Sequence, residues 1–158
     1  MSTLYVDNLQ PNLGSRVMAA GHVVQVVNSV ISSASPATTV STYSETGISG
    51  TITPQSASSK VLVIINIGGV FKNSGNTWVN FKWSRNGVDQ GIFSDVTAYD
   101  GGSGENNVGS VSMTYLDNPS STSPVTYAVQ FSNNTPAGYA GFNRNGTNSY
   151  ITLMEIAQ

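Results

Sequence analysis

KVLVIINIGGVFK, residues Lys60–Lys72, decides the fold. Within it, residues 61–67 are apolar except at Asn66. Alternation places Val61, Val63, Ile65 and Ile67 on one face, and Leu62 and Ile64 on the other. Val and Ile dominate the run, and stiff β-branched side chains favour a strand over a helix. A strand apolar on both faces is normally covered on both faces. A second sheet of the same domain supplies one cover. The other needs a helix, a further layer or another subunit, and no stretch of the chain reads as an amphipathic covering helix.

The surrounding composition agrees with a β protein. Val and Ile number 18 and 9 against 6 Leu, while Ser, Thr, Asn and Gly number 23, 15, 16 and 16. Such a chain favours strands and turns and disfavours long helices. At 158 residues it can bury one substantial core.

Outward from the central run, the other strands read by period. Residues 22–31, HVVQVVNSVI, are a strand by their β-branched content. Residues 32–39 read as a loop and 40–53 as a strand pair anchored by Tyr43, Ile48 and Ile52. Residues 54–59 turn into the central strand, and residues 73–76, NSGN, carry a hairpin signal after it. Val79, Phe81 and Trp83 alternate with polar neighbours, Asn86-Gly87 is a type I′ turn signal, and 88–93 return. Residues 94–109 read as one long Gly/Asn-rich loop. Strands follow at 110–117, 125–131, 139–143 and 149–156, with Asn145-Gly146 as a second hairpin signal. The closing strand, SYITLMEI, is apolar on both faces and is expected to be central or interfacial.

Eight to ten short strands at this spacing predict an all-β fold, an antiparallel β-sandwich of jelly-roll type. Residues 1–21 read differently. Their apolar side chains are irregularly set, and Pro11, Gly14 and Gly21 interrupt any long helix, so an extended N-terminal arm is expected before a knob over 22–158.

Charge narrows the function. Charged residues make up 9% of the chain, net charge is −2, and the six Lys and Arg are scattered, which disfavours nucleic-acid binding. Cysteine is absent, so disulfides and thiolate metal sites are excluded. No charged segment precedes an apolar one as in a secretory leader, and no apolar run approaches the ~18 residues of a membrane span. His22 is the one imidazole, and no nucleophile motif accompanies it. No spacing selects an acid/base pair from Glu45, Asp95, Asp100, Glu105, Asp117 and Glu155. Asp95, Asp100 and Glu105 fall short of the six or so oxygens of a Ca²⁺ site. No enzyme activity, cofactor or metal is expected.

Trp78, Tyr99 and Tyr139 offer flat faces among Asn and Asp, as a sugar-contacting surface would. Trp83 shares the alternation of Phe81 and Val79 and reads as core. The two-faced strands favour self-association, with Leu62, Ile64, Tyr150 and Met154 as the expected interface.

Particular phrases carry a resemblance: STLYVDNLQP at 2–11 followed by HVVQVV, TGISGTITPQSASSKVLV at 46–63, SMTYLDNPSSTSPVTYAVQF at 112–131, and SYITLMEI at 149–156. Together they resemble small structural proteins of tailed bacteriophages, especially those of cyanobacteria, across nearly the whole chain. The resemblance implies a homotrimeric tail-fibre, adhesin or capsid-decoration knob located in the virion. It implies an arm that docks on other capsid or tail proteins, for which Leu4, Tyr5, Val6 and Leu9 are the candidate contacts. The third of the quoted phrases looks like a recurrent hairpin of such proteins. No shaft repeat, heptad or collagen triplet is present, so the chain is read as an arm and one knob. A lectin-like module that binds host glycans is the alternative.

Overall fold

The structure is a computed structural model, and it describes residues 19–32, 37, 38, 41–102, 104–134 and 138–158. Ten strands lie among them: β1 Val23–Ile31, β2 Ala37–Thr38, β3 Ser44–Ile52, β4 Lys60–Lys72, β5 Val79–Arg85, β6 Val88–Thr97, β7 Asn106–Asp117, β8 Val125–Asn133, β9 Ala140–Gly141 and β10 Ser149–Ile156. They form two antiparallel sheets packed as a sandwich. The first runs β1-β10-β4-β7, with β9 and β2 beside the far end of β4. The second runs β3-β8-β5-β6.

The central run is the 13-residue β4, flanked by β10 on one side and β7 on the other. Its Val61, Val63, Ile65 and Ile67 face the second sheet and are fully buried. Ile48 and Ile52 of β3, Val79, Phe81 and Trp83 of β5, and Tyr127 and Val129 of β8 close over them. Each such side chain contributes about 1.5–3 kcal/mol by leaving water. Phe81 stacks between Phe93 and Phe131, with centroids 6.1 and 6.4 Å away.

Several local expectations give way to tertiary pairing. Where a strand pair is expected over 40–53, the described residues 41–53 hold one strand, β3. It keeps a single path beside β8 by bulging between Glu45 and Ser49, where Gly47 has φ +81. The NSGN turn does not close a hairpin, because it carries the chain from β4 in one sheet to β5 in the other. The SMTYLDNPSSTSPVTYAVQF phrase is likewise no hairpin: β7 and β8 belong to different sheets. Asn86-Gly87 does form the expected tight turn, with both residues at positive φ. The long loop after it shrinks at both ends, since β6 extends to Thr97 against β5 and β7 begins at Asn106 against β4.

Asn145-Gly146 has the φ values of its turn chemistry, +57 and +75, but another outcome. β9 and β10 both run antiparallel to β4 along its same side, pairing with Phe71–Lys72 and Lys60–Asn66 respectively. Residues 142–148 therefore form an excursion between two stretches beside one partner. Gly68 and Gly69 make room for it. Asn143 N donates to Gly68 O at 2.7 Å, and Gly68 N donates to Ser149 Oγ at 3.0 Å.

Of the expected arm, residues 19–21 turn into β1, and Gly21 N donates to Ala157 O at 2.8 Å. Leu4, Tyr5, Val6 and Leu9 lie outside the described residues.

Candidate functional site

Two surfaces combine the residues singled out from the sequence. The first is the outer face of the β1-β10-β4-β7 sheet. Backbone register aligns Val26, Met154, Leu62 and Leu116 in one row across all four strands. The next row is Asn28, Thr152, Ile64 and Thr114, and the third is Val30, Tyr150, Asn66 and Ser112. None of these residues is charged. The four expected interface residues, Leu62, Ile64, Tyr150 and Met154, thus share one face on neighbouring strands. Tyr150 stands opposite Asn66 rather than beside the two aliphatic residues.

This face has no covering layer among the described residues. Leu62, Ile64 and Met154 are half-buried, while Val26 is 55% and Leu116 48% exposed. The edge residues Val26, Val30 and Leu116 were missed as interface candidates. Val26 and Val30 belong to a segment whose β-branched content marks only a strand, and Leu116 falls in the strand expected over 110–117. Sequence alternation gives a residue's face, but the strand's neighbour comes only from the pairing.

The second surface is the loop end beyond Lys72, and it gathers all three expected sugar-contact aromatics. Trp78 and Tyr99 meet edge to face with centroids 5.4 Å apart. Tyr139 packs edge-on against Phe71 at 5.9 Å. Asparagines of the loop fix them. Tyr99 OH donates to Asn76 Oδ1, Trp78 N donates to Asn134 Oδ1 at 2.7 Å, and Tyr139 N donates to Asn73 Oδ1 at 2.7 Å. Asn134 Nδ2 reaches Asn76 O at 3.0 Å and links the Trp78 and Tyr99 anchors. Tyr99 and Tyr139 remain 44% and 39% exposed, whereas Trp78 is half-buried. Two rigid, partly exposed rings held by polar groups can stack on the apolar face of a sugar ring.

Charges at this end neutralise one another. The wholly buried Lys72 ammonium pairs with Asp100 and donates to Gly102 O at 3.1 Å. The hydrogen bond that Asp100 accepts from Lys72, with one from the Gly102 backbone, holds its carboxyl below the ordinary value. Arg144 Nη2 meets Glu105 Oε1 at 2.6 Å, and its guanidinium lies 4.9 Å from the Phe71 centroid. Asp95, the third acid of the supposed loop, sits instead on β6, and its Oδ1 accepts from Val96 N.

Glu45 accepts from Gln130 Nε2 on β8, and Asp117 and Glu155 are engaged at the opposite end. Asp117 accepts two hydrogen bonds from Arg85 Nη1, at 2.8 and 2.9 Å, and one from Tyr127 OH at 2.7 Å. Glu155 is fully buried and accepts from Gln25 Nε2 at 2.7 Å and Gln55 N at 2.8 Å. His22 is exposed, and its backbone carbonyl accepts from Ala157 N at 2.9 Å. No acid lies beside it in these contacts. Sequence reading found no reason to bury Glu155, because its neighbours Met154 and Ile156 gave no sign that the inner face would carry a charge.

A scan against protein-family models found no match to the chain, and a search of curated proteins found none either.

Proposed function

We propose that the chain is a non-enzymatic structural protein of a tailed-phage virion, a homotrimeric knob whose N-terminal arm docks on a capsid or tail protein. The observation that carries the assembly part is the outer face with three uncharged rows, the Val26–Met154–Leu62–Leu116 row first among them. Water-exposed apolar rows of this extent mark interaction surfaces. The phrase-level resemblance in the sequence supports the virion part. The pairing of most acids with a cation or several donors supports a non-enzymatic role, since general acid–base work needs a carboxyl free to exchange its proton. The chain crosses between sheets after β2, β3, β4, β6, β7 and β8, and this repeated crossing supports a jelly-roll reading of the sandwich.

The test is the mass in solution by light scattering, for the full chain and for a chain starting at His22. A trimer in both locates the interface in the knob. A monodisperse monomer in both overturns the assembly reading.

The loop end favours a second reading, a lectin-like site for host glycans, because the Trp78–Tyr99 pair and the partly exposed Tyr139 lie on its loops. A glycan screen with the wild type and Tyr99→Ala tests it. Binding that weakens in the variant supports the site, and a screen without hits removes it.

A further inference from the structure

The first sheet ends in two unlike edges. β7 pairs with β4 and, among the described residues, with no strand on its other side. From Ser110 to Asp117 its register with β4 is unbroken. Val108, Tyr115 and Leu116 on it are each nearly half exposed. Exposed edges are ordinarily blunted by Lys and other charges, Pro, bulges or inward-pointing charged residues. β7 carries no Lys, Arg or Pro, and its one acid, the inward-pointing Asp117, is its last residue, which leaves Ser110 to Leu116 without such a device. The edge of the second sheet shows the contrast. β6 breaks register with β5 three times and exposes Asp89 and Asp95. So β6 is interrupted along its length, whereas β7 is interrupted only toward Asn106 and runs unbroken from Ser110.

β1 forms the opposite edge. It pairs with β10 without a break from Gln25 to Ile31, and no residue of Val23–Ile31 is charged. All three pairings of the sheet are antiparallel, so β1 and β7 run in opposite directions. A second copy set beside β7 in the same orientation therefore presents β1 as an antiparallel neighbour.

We infer that β7 of one copy pairs edge to edge with β1 of a second copy, extending the sheet across the subunit boundary. This rests on the assembly reading above and specifies its geometry. The row register continues through the contact: Leu116 meets the second copy's Val26, Thr114 its Asn28, and Ser112 its Val30. Backbone hydrogen bonds fix the contact, and the alternating side chains set its register. A threefold ring cannot be built from a patch that pairs with itself, because it needs two different complementary patches on each copy. The β1 and β7 edges are such a pair. Closing three sheets in this way turns the apolar rows of their outer faces, with Leu62, Ile64 and Met154, toward the common axis.

The chain contains no cysteine, so introduced thiols report single contacts. The experiment uses full-length Val26→Cys and Leu116→Cys, alone and mixed, under mild oxidation. Both positions are about half exposed and tolerate the change. The expected result is a disulfide dimer in the mixture and not with either variant alone, and a ladder ending at the trimer for the double variant. Efficient dimerisation of Leu116→Cys alone indicates twofold pairing of β7 and overturns the inference. Absence of cross-links in a protein that light scattering shows to be a trimer also overturns it, while leaving the trimer intact. A monomer by mass overturns the assembly reading itself. Amide exchange on the unmodified protein gives an independent check: slow exchange along 110–117 at every position is expected, and fast exchange at alternate positions contradicts a paired edge.

Discussion

Glu155 and Asp117 occupy one row of the buried inner face, on either side of Val61. Two carboxylates two strands apart inside a sandwich resemble a hydrolytic pair in outline. Their partners argue otherwise. Asp117 is matched by the Arg85 guanidinium and the Tyr127 hydroxyl, and Glu155 by neutral donors from β1 and from residues 55–59. Burial pushes the Glu155 carboxyl up, but hydrogen bonds from Gln25, Ser59 and the backbone of Gln55 and Ser56 outweigh it and leave the value below the ordinary one. A general acid needs the opposite shift. The two groups instead pin the base of the sandwich: Glu155 ties β10 to β1 and to the turn before β4, and Asp117 ties β7 to β5 and β8.

Replacing Glu155 with Gln leaves one acceptor oxygen where two served, and turns an amide donor toward Gln25 or Gln55. A loss of about 2–3 kcal/mol is expected at pH 7, because hydrogen bonds to a charged group are the stronger kind. The pH dependence has a fixed sign. With the folded value depressed, the contribution is complete above the unfolded value of roughly 4.3 and disappears as pH falls through the folded value. Urea midpoints of wild type and Glu155→Gln should therefore differ at pH 7 and approach each other in acid. A constant difference down to pH 3 contradicts the assignment.

Tyr127 has the converse linkage. Burial first, and then the hydrogen bond to Asp117, raise its phenol far above the usual value. Its contribution is complete below the unfolded value of about 10 and is lost as pH rises beyond it. Tyr127→Phe should cost about 1–3 kcal/mol at pH 7, since Asp117 stays buried with one donor fewer. The gap should narrow above pH ~10. A 295 nm titration should show one tyrosine that ionises only with unfolding, and that signal should be missing in the variant.

Gly69 and Gly146 both have positive φ, +57 and +75, yet Ala should affect them differently. A Cβ on Gly69 overlaps Thr147 Oγ1 and lies 2.5 Å from Arg144 N. One on Gly146 meets nothing within 4 Å. Gly146→Ala should cost only the backbone strain, roughly 1–2 kcal/mol. Gly69→Ala adds an overlap of about 1–3 kcal/mol and must displace residues 144–147. Equal thermal midpoints for the two variants would show that the excursion after β9 does not pack on the β4 bulge.

The strands were legible where burial is strictly alternating or two-sided. β4 alternates from Lys60 to Ile67, before its bulge at Gly68 and Gly69, β5 alternates from Val79 to Trp83, and β10 lies between two strands as its two apolar faces imply. Connections were less legible, because turn chemistry specifies φ and not destination. Asn86-Gly87 joins neighbours in one sheet. Asn145-Gly146, with the same dipeptide, joins two stretches that share β4 as a partner. The end of β6 was lost in a Gly/Asn-rich reading because its residues pair with β5 through a bulged register that no period reveals. Trp78, Tyr99 and Tyr139 were chosen for chemistry alone. Their meeting at one end depends on asparagine side chains at 73, 76 and 134, which read in the sequence only as turn formers.

The outer-face row makes a prediction that separates apolar from ionic assembly. Leu62 stands between Met154 and Leu116 near the middle of the face; its row and the two toward Asn66 are uncharged, and Lys60 stands one row to the other side. Leu62→Glu places a carboxylate there without touching the buried side of β4. An isolated chain keeps that carboxylate in water, so the thermal midpoint of the monomer should move little, as for ordinary surface changes within about 0.5 kcal/mol. Assembly instead requires burying the charge against apolar neighbours, which costs several kcal/mol without a partner. The expected result is a folded monomer by light scattering with an unchanged far-ultraviolet spectrum. The wild-type assembly should also keep its mass between 0.05 and 1 M salt, a range over which the Debye length falls several-fold to about 3 Å. Dissociation in salt would point to charged contacts elsewhere on the surface. A Leu62→Glu protein that still assembles would remove this face from the interface.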